Sequence, residues 1–379
     1  MPTPRLDTDA IIADPRTKII ICCGSGGVGK TTTSAAVAVR AAESGRRVVV
    51  LTIDPARRLA QSLGISELDN TPRPVLGIDR SRGGSLDAMM LDMKRTFDDV
   101  VLAHSSADKA EALLRNPFYD ALSTSFSGTQ EYMAMERLGQ LHTEAEESGS
   151  WDLIVVDTPP ARSALDFLDA PEHLSTLLDG RFLRLLLAPA RGPFRLMSVG
   201  VSLVSSALNK VLGSAILSDL QIFVTAFEAL FGGFRQRAAE TFELLSSEHT
   251  TFLVVATPER DALREAAYFL DRLSEERMPL SGVVINRVHS SQLPLSAARA
   301  LALAEDLAED LAETDRVVEI EALRRHASLM RVIERERLIL QRFASSRPTV
   351  AHSLVASLPS DVTDLSSLRR VGALLAAED

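Results

Sequence analysis

The residues most able to do chemistry lie between Gly24 and Thr31, where GSGGVGKT fits the pattern G-x-x-x-x-G-K-[ST]. Gly24, Gly26, Gly27 and Gly29, with Val28 among them, let successive backbone N–H groups converge on phosphate oxygens. Lys30 adds a point charge near the β and γ oxygens, and Thr31 offers its hydroxyl to Mg²⁺. Thr32 is placed to contact the α-phosphate. The chemistry expected is binding of a nucleoside triphosphate with its magnesium.

Two carboxylates stand where they could serve that ligand. Asp54 closes the apolar run VVVLTID, and there it could orient the water that attacks the γ-phosphate or act as a turn or capping residue before Pro55. Asp157 closes LIVVD, the place for a carboxylate that supports Mg²⁺ through water. An apolar strand followed by Asp is a generic pattern, so its weight comes from the neighbouring loop. Cys22 and Cys23 are adjacent in an apolar run, alternate across a strand, and read as core residues. The seven histidines show no metal-binding spacing and read as structural or surface groups.

The elements that must position these residues follow from the apolar runs. KIIICC, RRVVVLTID, DLIVVDTPP, TFLVVATPE and SGVVINRV are β-branched-rich and each leads into a loop or helix. Strands buried on both faces and separated by helices predict an α/β fold with a doubly wound, mostly parallel sheet of P-loop NTPase type. Ligands in such sheets sit at the carboxyl ends of the strands, where every motif above falls. Residues 1–17 read as a flexible N-terminal extension and 18–379 as the ATPase-like domain. Within it, 88–146 and 172–247 read as an inserted α-helical subdomain. The second segment carries apolar stripes from Met197 to Leu212 and from Leu220 to Phe234. They form a subdomain core, a groove for an apolar client helix, or a lip for a membrane subunit.

The three motifs, with IDPA at the first switch, DTPP at the second, TPE from Thr257 and NRV from Asn286, resemble those of the ArsA family of ATPases. The resemblance runs from about Lys18 to the C-terminal region. It implies an Mg²⁺·ATP-dependent dimeric switch whose hydrolysis resets a partner-binding helical subdomain. Asp54 would position the water, Asp157 would be the magnesium and switch carboxylate, Asn286 would read the adenine edge, and Pro359 would pack on the base. Glu131, in FSGTQEYMAME, would lie near the dimer interface or act as an acid at a helix start.

One position departs from that pattern. Family members carry a lysine at the place of Ser25 and reach with it across the dimer to the partner's phosphates. Such charge-supplying fingers contribute roughly 10³ to 10⁵ in rate. The expectation is a partner subunit with an intact K-G-G loop, ahead of substitution by Arg57, Arg58 or Arg162, or slow hydrolysis. A non-hydrolysing regulatory subunit is the alternative; an anion-pump motor or a MinD- or ParA-like positioning ATPase ranks lower. The separated cysteines and C-x-x-C clamp of relatives are missing, so neither arsenite coordination by thiolates nor zinc is expected.

Composition limits the rest. The chain has 379 residues, 46% hydrophobic and 24% charged, enough for a large core. A net charge of -10 argues against a nucleic-acid surface. No apolar run reaches the length of a membrane span and the N-terminus lacks an apolar signal region, so a cytoplasmic protein is expected.

Overall fold

A computed structural model describes residues 4–54, 58–125, 129–159, 223, 233, 236–309 and 316–376. Its centre is an eight-stranded sheet built from β1 (Ile19–Gly24), β2 (Arg47–Thr52), β3 (Arg73–Pro74), β4 (Ser85–Met90), β5 (Leu153–Asp157), β6 (Thr250–Ala256), β7 (Leu280–Val288) and β8 (His352–Ala356). The spatial order is β3-β4-β2-β5-β1-β6-β7-β8. All pairs are parallel except β3 with β4. This is the mostly parallel α/β sheet that the alternation of apolar runs predicts.

The inner strands explain themselves. β1, β5 and β6 are buried along their whole length, because helices cover both faces and leave no polar side to alternate with. Each fully buried Ile in β1 contributes about 1.5–3 kcal/mol over exposure. The pleat divides the core in two. Ile19, Ile21 and Cys23 face one cluster, and Ile20 and Cys22 face the other. The adjacent cysteines are therefore core residues on opposite faces, as the alternation predicts.

One face is covered by α2 (Lys30–Glu43), whose Ala35, Ala36, Ala38, Ala41 and Ala42 combine high helix propensity with close approach to the sheet. The short α3 (Arg58–Ser62) and the C-terminal α11 (Leu365–Ala376) pack beside it. The other face carries α4 (Met93–His104), α5 (Ala107–Leu114), α6 (Pro117–Ser125), α7 (Thr129–Ser148) and α8 (Arg260–Glu275). Helical residues 236–246 add Ala238 and Leu245 to that core. A hairpin of α9 (Ala297–Glu309) and the 30-residue α10 (Val317–Ser346) extends from the β7 side.

Two expectations change. Residues 4–17 are no flexible extension. Asp7 caps α1 (Thr8–Ala13) by accepting from the Ala10 amide, Leu6 and Ile12 are buried, and backbone hydrogen bonds join Pro4 and Leu6 to His352. The Arg46 guanidinium donates to the carbonyls of Ile12, Asp14 and Thr17, satisfying the end of that helix. Second, the segment expected as helical from residue 88 opens inside a strand. Residues 85–90 pair with all of β2, their polar Ser85 and Asp87 half-buried near the sheet edge. Of the 172–247 segment, the stripe from Met197 to Leu212 lies outside the described residues, as does that from Leu220 to Phe234 apart from Phe223, half-buried with its ring centroid 6.4 Å from that of Phe118.

Candidate functional site

The parallel register sets the site. Thr52 and Cys22 both align with Asp157, so β2, β5 and β1 end together at one edge of the sheet. The loop from Gly24 to Gly29 leaves from that edge and delivers Lys30 as the first residue of α2. Glycine is demanded at its two ends. Gly24 has φ +147°, and a Cβ there would meet the Val255 carbonyl oxygen at 2.1 Å. Gly29 has φ +97° as the cap of α2, and a Cβ would fall 2.2 Å from Asn286 Nδ2. Gly26 and Gly27 are exposed at the crest, and Val28 is buried beneath them.

Lys30 lies inside the loop and is almost fully buried. Its ammonium donates to the Ser25 carbonyl oxygen at 2.9 Å. Burial holds its pKa below the usual lysine value, although the charges of Asp157 and Asp54 pull the other way. The Ser25 side chain is short and buried, and it brings no charge to the loop.

Beneath the loop, Thr31 and Thr52 both donate to Asp157 Oδ2, at 2.8 and 2.9 Å. Oδ1 of the same carboxylate is buried and has no hydrogen-bond partner among the described residues. Burial pushes the Asp157 pKa up to about 6, against the opposing pull of the two hydroxyls and the Lys30 charge. A threonine hydroxyl beside a carboxylate with a spare oxygen is an all-oxygen donor set suited to a hard cation. Thr31 and Asp157 thus fit Mg²⁺ in chemistry and position.

Asp54 follows β2, half-buried, close enough for its charge to act on both Lys30 and Asp157. Thr32 is half-buried on the first turn of α2. Asn286, near the end of β7, donates from Nδ2 to the Val28 carbonyl oxygen at 2.8 Å and so touches the loop directly. Pro359 is exposed on the segment leaving β8, which is tied to β7 by the Ser357 amide donating to the Val288 carbonyl oxygen at 2.9 Å. Arg58 is exposed at the start of α3, whereas Arg57 and Arg162 lie outside the described residues. Glu131 is in the first turn of α7.

Thr52 escapes sequence reasoning, because its role depends on a neighbouring strand in register; a hydroxyl two residues before Asp54 was the available signal. Cys22 and Cys23 have thiols raised to about 12 by burial, which keeps them protonated and unreactive. Among the described residues no group of three His, Cys, Asp or Glu could hold a metal, and no helix is long and apolar enough to cross a membrane.

Comparison with known proteins places the chain in a family. The family model described as anion-transporting ATPase matches residues 17–300. The chain is 28% identical over 281 residues to a protein named ATPase ASNA1 homolog from Cryptosporidium parvum, covering 72% of this chain and 65% of that one. A protein named ATPase GET3 from Candida glabrata is 31% identical over 181 residues, 45% of this chain and 50% of the relative. An arsenical pump-driving ATPase from Acidiphilium multivorum is 30% identical over 158 residues, 41% of this chain and 26% of its own length. This chain therefore spans under two thirds of each of these three relatives. With the loop, the buried lysine and the shared carboxylate edge in place, and with three quarters of the chain matched, this chain belongs to the ArsA family of anion-transporting ATPases.

Proposed function

We propose that the chain binds Mg²⁺·ATP across the carboxyl edge of its sheet and hydrolyses it as a dimeric switch that drives a helical subdomain. The observation that carries this reading is the junction under the loop. One buried carboxylate, Asp157, takes the hydroxyls of Thr31 and Thr52 on one oxygen, and the other has no partner among the described residues. Lys30 is buried and its ammonium donates to a neutral carbonyl oxygen, a place that phosphate oxygens would take. In this reading the backbone from Gly24 to Gly29 and Lys30 grip the phosphates, and Thr31 with Asp157 would hold magnesium, whose charge would offset that of the phosphates when bound. Asp54 orients the attacking water, and Asn286 and Pro359 bound the adenine.

Residues 88–146 and 172–247 act as the moving subdomain, and its occupant is an apolar client helix or a membrane subunit. The compartment is the cytoplasm, without nucleic acid or zinc. Asp54→Asn tests the hydrolytic step. ATP affinity measured by calorimetry stays within about twofold, while phosphate release falls by at least about a hundredfold. Equal phosphate release by the variant and the wild type would remove Asp54 from the reaction.

A second reading, a subunit that turns ATP over slowly on its own, is favoured by one specific feature. Ser25 places no cation at the crest of the loop, and its carbonyl is engaged by Lys30 of the same chain. The missing charge then comes from a paralogue whose loop keeps K-G-G. The mixed dimer is asymmetric: the nucleotide held here receives the partner's lysine, and this chain returns none.

A further inference from the structure

The exit of β7 is irregular where it meets the phosphate loop. Its pairing with β8 slips between Ile285 and Val288, and Arg287 sits in the left-handed region at φ 60°. A non-glycine residue there is strained and persists only when its neighbours hold it. On the near side, Asn286 is fixed twice: Nδ2 donates to the Val28 carbonyl oxygen and Oδ1 accepts from the Arg287 amide at 2.9 Å.

On the far side the holder is remote in sequence. Glu336, in the middle of α10, is almost fully buried. Its Oε2 accepts the His289 amide at 3.0 Å and its Oε1 lies 2.7 Å from His289 Nδ1. Burying a carboxylate is costly unless it is matched with donors. This one finds two donors on a single residue, three positions beyond Asn286. A surface ion pair would explain neither the burial nor the paired contact to backbone and ring.

We infer that Glu336 is a positioning residue for base recognition: by clasping His289 it fixes the bulged exit of β7 and so keeps Asn286 on the phosphate loop. This rests on the reading that Asn286 meets the adenine. It makes α10, through the loop it grips, part of what distinguishes one base from another. The phosphate half depends on it less, since Lys30, Thr31 and Asp157 are held by other elements and Asn286 meets the loop at the Val28 carbonyl.

The test is calorimetric titration of the full chain with ATP, GTP and tripolyphosphate in magnesium buffer, alongside thermal melting. Wild type is expected to favour ATP over GTP. Glu336→Ala is expected to weaken ATP about tenfold and shrink the ATP-to-GTP preference by the same factor, with tripolyphosphate affinity within about twofold of wild type. His289→Ala keeps the backbone bond and loses about threefold, and Glu336→Gln, which retains an acceptor for the amide, stays within about twofold. His289 is half-exposed, so its variant folds even where Glu336→Ala does not. Lower melting temperatures with an unaltered base preference in Glu336→Ala and His289→Ala would reduce Glu336 to an anchor for α10 and overturn the inference alone. A wild type indifferent to the base would overturn it together with the adenine reading of Asn286.

Discussion

Asp157 titrates near pH 6 in the folded chain because burial at the end of β5 outweighs two hydroxyl donors and a nearby ammonium. An unfolded aspartate titrates near 3.8, so between about pH 4 and 6 the folded form holds a proton that the unfolded chain has released. Stability therefore falls as pH rises through that window, and the penalty, about 3 kcal/mol, is complete above it. Asp157→Asn removes the ionisable group. Relative to wild type, the variant is expected to have a higher urea midpoint at pH 7.5 and equal or lower stability at pH 4, while losing magnesium-dependent nucleotide binding. A variant less stable at pH 7.5 would mean the carboxylate is not the strained group described. Lys30, Thr31 and Asp157 are readable from spacing and context, because each is fixed by its own segment. Thr52 and Glu336 are not, since the first acts through strand register and the second through a contact 47 residues away in sequence.

At the scale of elements, the loop works only where strand and helix approach closely. Gly24 sits against the β6 backbone with no room for a methyl group, and the clashing atom is a carbonyl oxygen that cannot swing aside. Gly24→Ala is expected to cost about 2–4 kcal/mol in chemical denaturation and to weaken ATP binding, through a shifted loop rather than a lost contact. A change below about 0.5 kcal/mol would show that β1 and β6 can part freely there. The five long apolar strands and α2 are legible because burial on both faces leaves an unbroken hydrophobic run. β4 and β8 are not. SLDAMM carries two polar residues, HSLVA has an exposed Leu354, and neither pattern is distinctive within a helix-rich stretch. Residues 4–17 likewise hide two buried anchors, Leu6 and Ile12, among prolines and aspartates.

For the whole molecule, the sheet order brings β2, β5, β1, β6 and β7 side by side, so that five separate loops open on one edge. That geometry turns scattered motifs into a single cage. Its parts come from β1 with α2, from β2, from β5 and from β7, and no contiguous stretch could assemble it. Removing the central lysine should therefore abolish the ligand without unfolding the sheet, because the core clusters on either face exclude it. The most direct measurement is calorimetric titration of ATP into wild type and Lys30→Ala, each with magnesium and with a chelator. ATP binding is expected for wild type in magnesium, at least about tenfold weaker binding with the chelator, and none resolved for a folded Lys30→Ala in either buffer. Equal ATP affinity in the two proteins would contradict this, because triphosphate would then be held away from the edge where these strands converge.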